Sequence, residues 1–402
     1  MIAGSIAREL CKHKVEQASI DVKVLSEVFN SLEEGSLVTA FVEGWHLGSY
    51  KFIAYKSNGP EISTELYVKG GEDVGSHVEV GKMRAAATAF SRDLMNEIPS
   101  TLNPSTFPDI LKKEFIDTEV DVTVFNKEDL EKMEMNGVLT VGRGSDHKPA
   151  FVELVYLGDE SKPLVALVGK GVTFDTGGIS LKKGKDLSTM RMDMGGAAAV
   201  SGAMKLLAET KAKVNVVALI PIVENMPDSK AVIPGDVIRY KNGLTVQVGN
   251  TDAEGRLILA DGLIRAGELE ADYIINIATL TGAILNALGS KLAGVFGDET
   301  LSQEMKQIGS ENGDNVWPMP LVDSYDSYIS SDYADFTNTN SKTEAGSIVA
   351  GLFLRRFVPV SCKWLHVDMA GVMSSRENGY YTNSATGFGA RLLADFTEHV
   401  SR

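Results

Sequence analysis

The 402-residue sequence predicts an α/β fold, in which a mostly parallel or mixed central sheet is flanked by helices. From residue 163 onward, short apolar runs of strand length alternate with segments that have a helical pattern of apolar residues. The runs are continuous, which is typical of strands that are buried on both faces. The apolar fraction of 44% and the charged fraction of 23% are ordinary for a globular protein.

The individual elements follow from these patterns in chain order. Strands are expected at residues 164–169, 214–223, 245–248, 273–278, 292–296 and 365–369. Helices are expected at residues 80–94, 197–210, 258–268, 348–357 and 389–398, and another should begin at residues 103–105. In open parallel sheets, ligands bind beyond the carboxyl ends of the strands. Functional residues are therefore expected just after these strands.

The N-terminal part is predicted to form a small α/β domain at residues 1–75, followed by a larger domain at residues 80–402. Residues 1–70 mix short helical and strand patterns. Residues 70–76, GGEDVGS, are the best linker candidate, because glycine and small polar residues favour irregular backbone.

Charge and cysteine content exclude several classes of protein. The net charge is −15, from 39 basic and 54 acidic residues, and it repels both phosphate backbones and anionic lipid. Neither nucleic acid nor a membrane is therefore expected as the main partner. Cys11 and Cys362 are the only cysteines, so no disulfide framework is expected. The start of the chain lacks the apolar core of a signal peptide, and a cytoplasmic location is expected.

Residues 250–257, NTDAEGRL, carry the most informative motif. On an extended segment, the carboxylates of Asp252 and Glu254 would project to the same side, because they are two positions apart. Gly255 would then let the backbone turn away, and Arg256 adds a permanent cation. Converging carboxylates are costly to hold together unless cations neutralise them. The motif therefore predicts a site for a hard divalent metal.

Two glycine-rich segments supply further candidate ligands. Lys170 and Asp175 follow the strand at residues 164–169, and Asp193 precedes an alanine-rich helix. Four negative charges are thus available for two divalent cations, those of Asp175, Asp193, Asp252 and Glu254.

Each motif also has a simpler interpretation. Taken alone, Lys170 between two glycines is typical of a tight turn with a solvated lysine. Asp193 could be an ordinary helix N-cap. Lys182, beside Lys183 and Lys185, could belong to a solvated run of charges. The six histidines are scattered without the spacing of metal ligands. Only the combination of segments favours a functional site.

From about residue 80 to the C-terminus, the combined motifs resemble the leucine (cytosolic) aminopeptidase family of two-metal exopeptidases. The matching segments are GKGVTFDTGGISLK (169–182), MDMGGAAAV (192–200), ENMPDSKAVIPGD (224–236), VGNTDAEGRLILAD (248–261), ATLTGA (278–283), HVDMAGVM (366–373) and ATGFGARLL (385–393). The resemblance is specific because several long motifs occur in the same order at compatible spacing.

The resemblance implies two divalent metal ions per subunit, with Zn or Mn expected and Mg or Co possible at the more exchangeable site. The tightly bound ion would be held by Lys170, Asp175, Asp193 and Glu254, and the exchangeable ion by Asp175, Asp252 and Glu254. Lys170 would bind as the neutral amine, because an ammonium has no lone pair to donate. A dication nearby favours loss of that proton.

The resemblance also implies that Lys182 and Arg256 are the catalytic pair. A hydroxide that bridges the metals would attack the scissile carbonyl, and Lys182 would stabilise the developing oxyanion. Arg256 would bind a bicarbonate ion that carries a proton to the leaving amine, since its guanidinium matches a planar anion. The implied activity is removal of the first residue from peptides that have a free N-terminus.

In the family, the pocket for the first side chain corresponds to five positions of this chain. They are Met190, Thr279, Gly282, Ala370 and Met373. All but the threonine are apolar or small, and methionine side chains adapt their shape. The pocket is therefore expected to prefer leucine, methionine and other large apolar residues.

Departures from the family pattern affect assembly more than chemistry. The N-terminal part is shorter than the family's leading domain, which helps to arrange a hexamer, so the expected homohexamer rests on the resemblance. Residues 340–347, NSKTEAGS, replace a stretch richer in glycine and arginine, and Lys183 replaces a common proline.

Two other classes of function agree less well with the sequence. One is a non-catalytic assembly or DNA-binding protein, against which the acidic charge argues. The other is a nucleotide-binding α/β enzyme, for which the sequence lacks both GxxxxGK[ST] and GxGxxG.

Overall fold

The structure, a computed structural model, describes residues 1–30, 32–57, 63–71, 73–184, 186–376 and 378–402. The helices are α1 Ile2–Lys12, α2 Val22–Val28, α3 Glu34–Ser49, α4 Val74–Asn96, α5 Phe107–Phe115, α6 Lys127–Lys132, α7 Asn136–Gly142, α8 Gly195–Glu209, α9 Glu254–Glu268, α10 Gly282–Leu288, α11 Glu299–Asn312, α12 Gly346–Arg355 and α13 Ala390–Val400. The longer strands are β1 Gln17–Asp21, β2 Glu65–Lys69, β3 Asp121–Phe125, β4 Ala150–Leu157, β5 Leu164–Gly169, β6 Gly171–Asp175, β7 Asn215–Asn225, β10 Tyr273–Ala278, β11 Ala293–Gly297 and β14 Lys363–Asp368. The short strands are β8 Val237–Arg239, β9 Thr245–Gln247, β12 Val316–Pro318, β13 Phe336–Thr337, β15 Ser374–Ser375 and β16 Ser384–Ala385, and 3-10 helices form at Leu187–Met192 and Asp323–Ile329.

The main sheet is mixed, with parallel strands at its centre. Its strand order is β12-β11-β14-β10-β5-β7-β4-β3, and β6 also pairs with β7. The neighbours β14, β10, β5 and β7 are mutually parallel. Strand β11 runs antiparallel to β14 but parallel to β12, and β4 runs antiparallel to both β7 and β3. This arrangement confirms the predicted α/β class with a mostly parallel or mixed sheet. The carboxyl ends of the central strands consequently lie at one edge.

Both faces of the sheet are buried. All eleven residues of β7 are buried, and its side chains alternate between two apolar clusters. One cluster includes apolar residues of α4, α8 and α13, and the other includes those of α7, α9 and α12. The structure thus has helix, sheet and helix layers, which explains why the strand sequences are continuously apolar.

Close approach of α8 to the sheet depends on glycine. A Cβ atom at Gly196 would lie 2.1 Å from the carbonyl oxygen of Ile277 in β10. A glycine here therefore lets the helix N-terminus touch the strand, which brings the preceding Asp193 to the carboxyl edge of the sheet.

The predicted bounds agree closely for the central strands and less well for helix ends. The strands at 164–169 and 273–278 have the predicted bounds, and the other predicted strands are displaced by one or two residues at one or both ends. The helix predicted from residue 258 begins at Glu254 instead. Part of the predicted linker is helical, because α4 begins at Val74, while Glu72 lies outside the described residues.

The N-terminal segment contributes a two-stranded parallel sheet, β1 with β2, and helices α1 to α3. Helix α4 follows this segment and packs against both α3 and α8, so it contacts the N-terminal segment and the main sheet's helical layer. Division into domains at residues 75 and 80 stays a prediction. Throughout the described ranges, no helix is both long and apolar enough to cross a membrane.

Candidate metal centre

The sequence-predicted ligands come from segments that follow central strands. Lys170 comes directly after β5, and Asp175 is the last residue of β6. Asp193 lies between a 3-10 helix and α8. Asp252 lies in the turn before α9, and Glu254 is the first residue of that helix. The structure brings the side chains of these segments together.

Lys170 lies at the bottom of the cluster. Its Nζ atom is 2.8 Å from Asp193 Oδ2 and 2.9 Å from Glu254 Oε1, and it donates a 3.2 Å hydrogen bond to the carbonyl oxygen of Thr279. The lysine side chain is only 3% exposed. The alternative of a solvated lysine in a tight turn is therefore wrong.

Lys182 forms a second bridge between carboxylates. Its Nζ atom is 2.6 Å from Asp175 Oδ2 and 2.5 Å from Asp252 Oδ1. The side chain is 13% exposed, so Lys182 does not belong to a solvated run of charges, although Lys183 next to it is exposed. Lys185 lies outside the described residues.

Asp193 is a partner of other side chains, and the N-cap interpretation is wrong. Helix α8 has Met194 at its N-cap, without a side-chain capping bond. The Oδ1 atom of Asp193 accepts hydrogen bonds from Lys170 Nζ at 2.8 Å and from Thr279 Oγ1 at 2.7 Å. These bonds orient the carboxylate towards the lysine.

Three of the carboxylates converge closely enough to share a metal ion. Oxygen atoms of Asp175, Asp252 and Glu254 all lie within 4.8 Å of one another. Glu254 Oε2 is buried and has no hydrogen-bond partner within the described part of the chain. An unpartnered carboxylate oxygen inside an acidic cluster fits a hard cation, which binds oxygen donors. The residues present therefore fit a divalent metal.

Burial shifts the pKa values in the cluster. Burial raises the pKa of Glu254 to about 8, with Asp175 adding to the effect, and burial raises the pKa of Asp193 to about 6. Burial acts to lower the pKa of Lys170, but the charges of Asp193 and Glu254 outweigh it and raise the pKa. The pKa of Lys182 is likewise raised by Asp175 against the effect of burial. Both lysines are thus counter-cations for the carboxylates.

The local geometry of the 250–257 motif differs from the prediction. Asp252 is in a turn and Glu254 is helical, so the premise of an extended segment is wrong. Gly255 does not turn the chain away either, because it continues α9. A Cβ atom there would lie 2.6 Å from Lys170 Cε and 2.8 Å from Nζ. This glycine makes room for the lysine, a role that depends on a distant part of the chain.

Arg256 contacts residues other than the partners of the two lysines. Its Nη1 atom donates a 2.9 Å hydrogen bond to the carbonyl oxygen of Asn338, and its guanidinium lies 5.8 Å from the centre of the Phe353 ring. Its buried Nε has no hydrogen-bond partner in the regions that the structure describes. Burial lowers the pKa of Arg256 to about 10, which leaves the side chain cationic at neutral pH. An unpaired buried donor fits a small anion or another acceptor.

Four of the five predicted pocket residues come after strand β10 or β14, and the fifth is in a 3-10 helix. Thr279 comes directly after β10, and Ala370 lies two residues after the parallel neighbour β14. Gly282 begins α10, and a Cβ atom there would meet nothing within 4 Å. Met190 is in the 3-10 helix, and Met373 precedes β15. Their joint role as one pocket stays a prediction.

Several residues that hold the cluster were not identified from the sequence. Asn225 Nδ2 donates hydrogen bonds of 2.9 Å to both Asp175 Oδ1 and the carbonyl oxygen of Thr251. Asp368 Oδ1 accepts from the backbone of Leu280 and Ala370. Asn225 and Asp368 lie inside the quoted motifs, which was the available signal, but no local pattern distinguishes a residue that orients a ligand.

Comparison with known families places these residues in context. The sequence profile described as "Cytosol aminopeptidase family, catalytic domain" matches residues 89–394. A probable cytosol aminopeptidase of Persephonella marina is 38% identical over 392 residues, which cover 96% of this chain and 78% of the relative. A protein of the same name from Chlorobium limicola is 40% identical over 419 residues, covering 99% of this chain and 83% of the relative.

Solved structures show the same similarity. The bottromycin maturation enzyme BotP is 33% identical with a TM-score of 0.92, covering 99% of this chain and 86% of that chain. The same enzyme in complex with Mn is 32% identical with a TM-score of 0.93, covering 100% of this chain and 86% of that chain. The fold described above is therefore shared over the whole length of the chain.

Proposed function

Since this chain belongs to the cytosol aminopeptidase family and is a metal-dependent hydrolase of the leucyl aminopeptidase type, we propose that it removes leucine, methionine and other large apolar residues from peptide N-termini. One observation carries the proposal. Carboxylate oxygens of Asp175, Asp252 and Glu254 lie within 4.8 Å of one another beside two lysines that are largely shielded from water.

Two divalent ions would be held by this cluster. Lys170, as the neutral amine, would bind the tight ion with Asp175, Asp193 and Glu254, and Asp252 would complete the exchangeable site with the shared Asp175 and Glu254. Zn or Mn is the expected metal, with Mg or Co possible at the exchangeable site, and the Mn complex of the similar BotP supports Mn. When bound, the ions would supply a bridging water of lowered pKa as nucleophile and polarise the scissile carbonyl.

Lys182 would stabilise negative charge on the carbonyl oxygen of the substrate. Its pKa is raised by Asp175 despite burial, so the side chain keeps its proton at neutral pH. An ammonium that is largely shielded from water interacts strongly with an oxyanion, and donors of this kind contribute several kcal/mol, about 3 to 4, to catalysis. Its short contacts with Asp175 and Asp252 support this role.

Arg256 would hold a bicarbonate ion. The buried Nε atom lacks a hydrogen-bond partner among the residues described, and the side chain remains cationic. A planar guanidinium binds a planar carboxylate-like anion through two parallel hydrogen bonds. In this position, bicarbonate would carry a proton towards the leaving amine.

Substrate preference would follow from the residues proposed for the pocket. Met190 and Met373 offer adaptable apolar surface, and Gly282 leaves space for a side chain. One methylene group is worth only about 1–3 kcal/mol in such a pocket, so the preference for large apolar residues should be broad.

The partners, the assembly and the location are part of the same proposal. The substrates would be peptides with a free N-terminus, the assembly a homohexamer, and the location cytoplasmic. The names of the curated relatives, probable cytosol aminopeptidases, support the location. Sedimentation equilibrium would test the hexamer directly.

The decisive test is hydrolysis of leucyl p-nitroanilide with a chelator present and then with Mn, Zn or Co added back. Turnover should vanish with chelator and return with metal.

Lys182→Ala should lower kcat by about 100-fold or more, because a charged donor to the oxyanion is lost. Lys183→Ala is the matched control, since that neighbouring lysine is exposed. Unchanged turnover in Lys182→Ala would contradict the proposed role.

A further inference from the structure

Asn338 makes contacts that neither the motifs nor the proposed mechanism uses. Its side chain is fully buried directly after β13, and its backbone N–H donates to Gln247 in the neighbouring β9 at 3.1 Å. Its Oδ1 atom accepts hydrogen bonds from the backbone of Gly249 at 2.8 Å and of Asn250 at 3.2 Å. One buried carboxamide thus meets the loop that leads to Asp252.

The other end of the same carboxamide meets the same loop. Its Nδ2 atom donates to the carbonyl oxygen of Asn250 at 2.7 Å and to that of Ala253 at 3.3 Å. Ala253 is the N-cap residue of α9, directly before Glu254. Since a carboxamide has two N–H donors and one acceptor oxygen, both ends of the Asn338 side chain bind this loop. The oxygen also accepts a 3.2 Å hydrogen bond from Thr339 Oγ1.

The backbone of Asn338 contacts the proposed anion-binding residue. Its carbonyl oxygen accepts the 2.9 Å hydrogen bond from Arg256 Nη1. The side chain of Asn338 therefore holds the segment that carries two proposed metal ligands, while its main chain holds the guanidinium.

A second set of bonds holds the opposite side of the loop. Thr251 Oγ1 donates to the carbonyl oxygen of Gly177 at 2.6 Å, and Ser180 N donates to the same hydroxyl at 2.8 Å. These bonds join the loop to the segment that carries Lys182. Without Asn338, the loop would keep these bonds and the hydrogen bond from Asn225 to Thr251. It would lose every bond to the carboxamide, and Arg256 would lose its partner's fixed position.

We propose that Asn338 is a positioning residue, which fixes the carboxylates of Asp252 and Glu254 relative to the guanidinium of Arg256. The inference rests on the proposed function for its catalytic meaning, but its structural content stands without it. Asparagine suits this position because its carboxamide donates to two carbonyl oxygens and accepts from two amides at the same time. Aspartate has the same shape, yet its second oxygen would face the carbonyl oxygens of Asn250 and Ala253.

The test compares Asn338→Asp and Asn338→Ala with Asn215→Ala. Asn215 is also a buried asparagine, but it begins β7, whereas the site lies at the other end, roughly 33 Å away at the rise of about 3.3 Å per residue. Three quantities are measured on each full-length protein. They are hydrogen exchange of residues 248–253 without metal, the Kd for Mn by calorimetry, and kcat with KM on leucyl p-nitroanilide.

Both Asn338 variants should lose exchange protection at residues 248–253 and bind Mn about 10- to 100-fold more weakly, as is typical when residues that orient ligands are changed. They should also lower kcat by a similar factor while KM changes less than about threefold, because ground-state pocket contacts are untouched. Asn215→Ala should show none of these changes, even if it lowers Tm as much as the Asn338 variants do.

Protection and Mn affinity that stay at wild-type values in both Asn338 variants would overturn the inference. The same effects in Asn215→Ala would also overturn it, since they would then report general destabilisation. If the wild-type protein does not hydrolyse the substrate, the proposed function fails, and the exchange and calorimetry results still decide the role of Asn338.

Discussion

At the residue scale, the site depends on a glycine that has no side chain as well as on charged groups. Gly255 in the first turn of α9 lies against Lys170, whose Nζ atom contacts Asp193 and Glu254. The lysine can reach these carboxylates because no Cβ occupies the space. The first turn of α9 therefore needs a glycine at this position so that the charged lysine fits beside the helix.

Replacing Gly255 with alanine should separate activity from stability. The new methyl would lie 2.6 Å from Lys170 Cε and displace the amine, so Mn affinity and kcat should fall by about 10-fold or more. The free energy of unfolding should change little. The preference of helices for alanine over glycine, roughly 0.5–1 kcal/mol, offsets the cost of displacing Lys170. Titration calorimetry and thermal unfolding measure the two effects.

Gly75→Ala is the matched control for that substitution. Gly75 has the same position in α4 as Gly255 has in α9, second in the helix, and a Cβ there meets nothing within 4 Å. It should leave Mn affinity unchanged. Equal Mn affinity in both variants would show that Lys170 tolerates the methyl group.

At the element scale, one buried arginine joins α4 to three other parts of the chain. Arg92 donates hydrogen bonds of 3.0 Å to the carbonyl oxygens of Leu47, Tyr380 and Thr386. Burial lowers the pKa of Arg92 to about 10, so it stays charged at neutral pH. Helix α4 is thereby attached both to α3 and to the segment after β15.

Arg92→Met should destabilise the protein while leaving the metal cluster unchanged. Three buried carbonyl groups would lose their donor, and each such loss costs about 1–3 kcal/mol, so a decrease of roughly 3 kcal/mol or more is expected. Urea denaturation measures the free energy of unfolding. Arg143→Met, which breaks an exposed pair with Asp236, should cost less than about 1 kcal/mol. Equal losses in the two variants would contradict the role of Arg92.

At the scale of the whole molecule, the sheet collects charges from distant segments at one edge. The strands β5, β6, β7 and β10 end there, and the turn before α9 reaches the same place. Four acidic residues share this region with Lys170 and Lys182, so the cluster of six side chains is anionic when all are ionised. A ligand that binds the folded cluster and not the unfolded chain stabilises the fold.

Metal removal and addition should therefore shift global stability. Mn at about 100 times its Kd should raise the free energy of unfolding by about 2.7 kcal/mol over the chelated protein. Glu254→Gln should abolish most of this gain, because an isosteric neutral group replaces the carboxylate whose Oε2 is unpartnered in the described structure. Asp236→Asn should keep the gain, because the Asp236 carboxylate pairs with Arg143 and not with the cluster. A gain that persists in Glu254→Gln would place the metal elsewhere.

The sequence alone determined the fold class, the central strands and the identities of the residues that meet at the site. Continuous apolar runs indicate strands that are buried on both faces. This pattern can be recognised in the sequence because neighbouring positions along the chain form it. The motif around Asp252 and Glu254 indicated a metal site for a similar reason, since its charges are adjacent in the sequence.

The tertiary structure alone decided how those residues are held. The 250–257 segment was expected to be extended, yet it is a turn followed by a helix, and Gly255 accommodates Lys170 instead of redirecting the chain. Asn338 could not be identified, because its bonds to the loop arise when β13 pairs with β9. Such contacts join positions far apart along the chain, and local composition holds no record of which distant atoms packing brings within hydrogen-bonding distance.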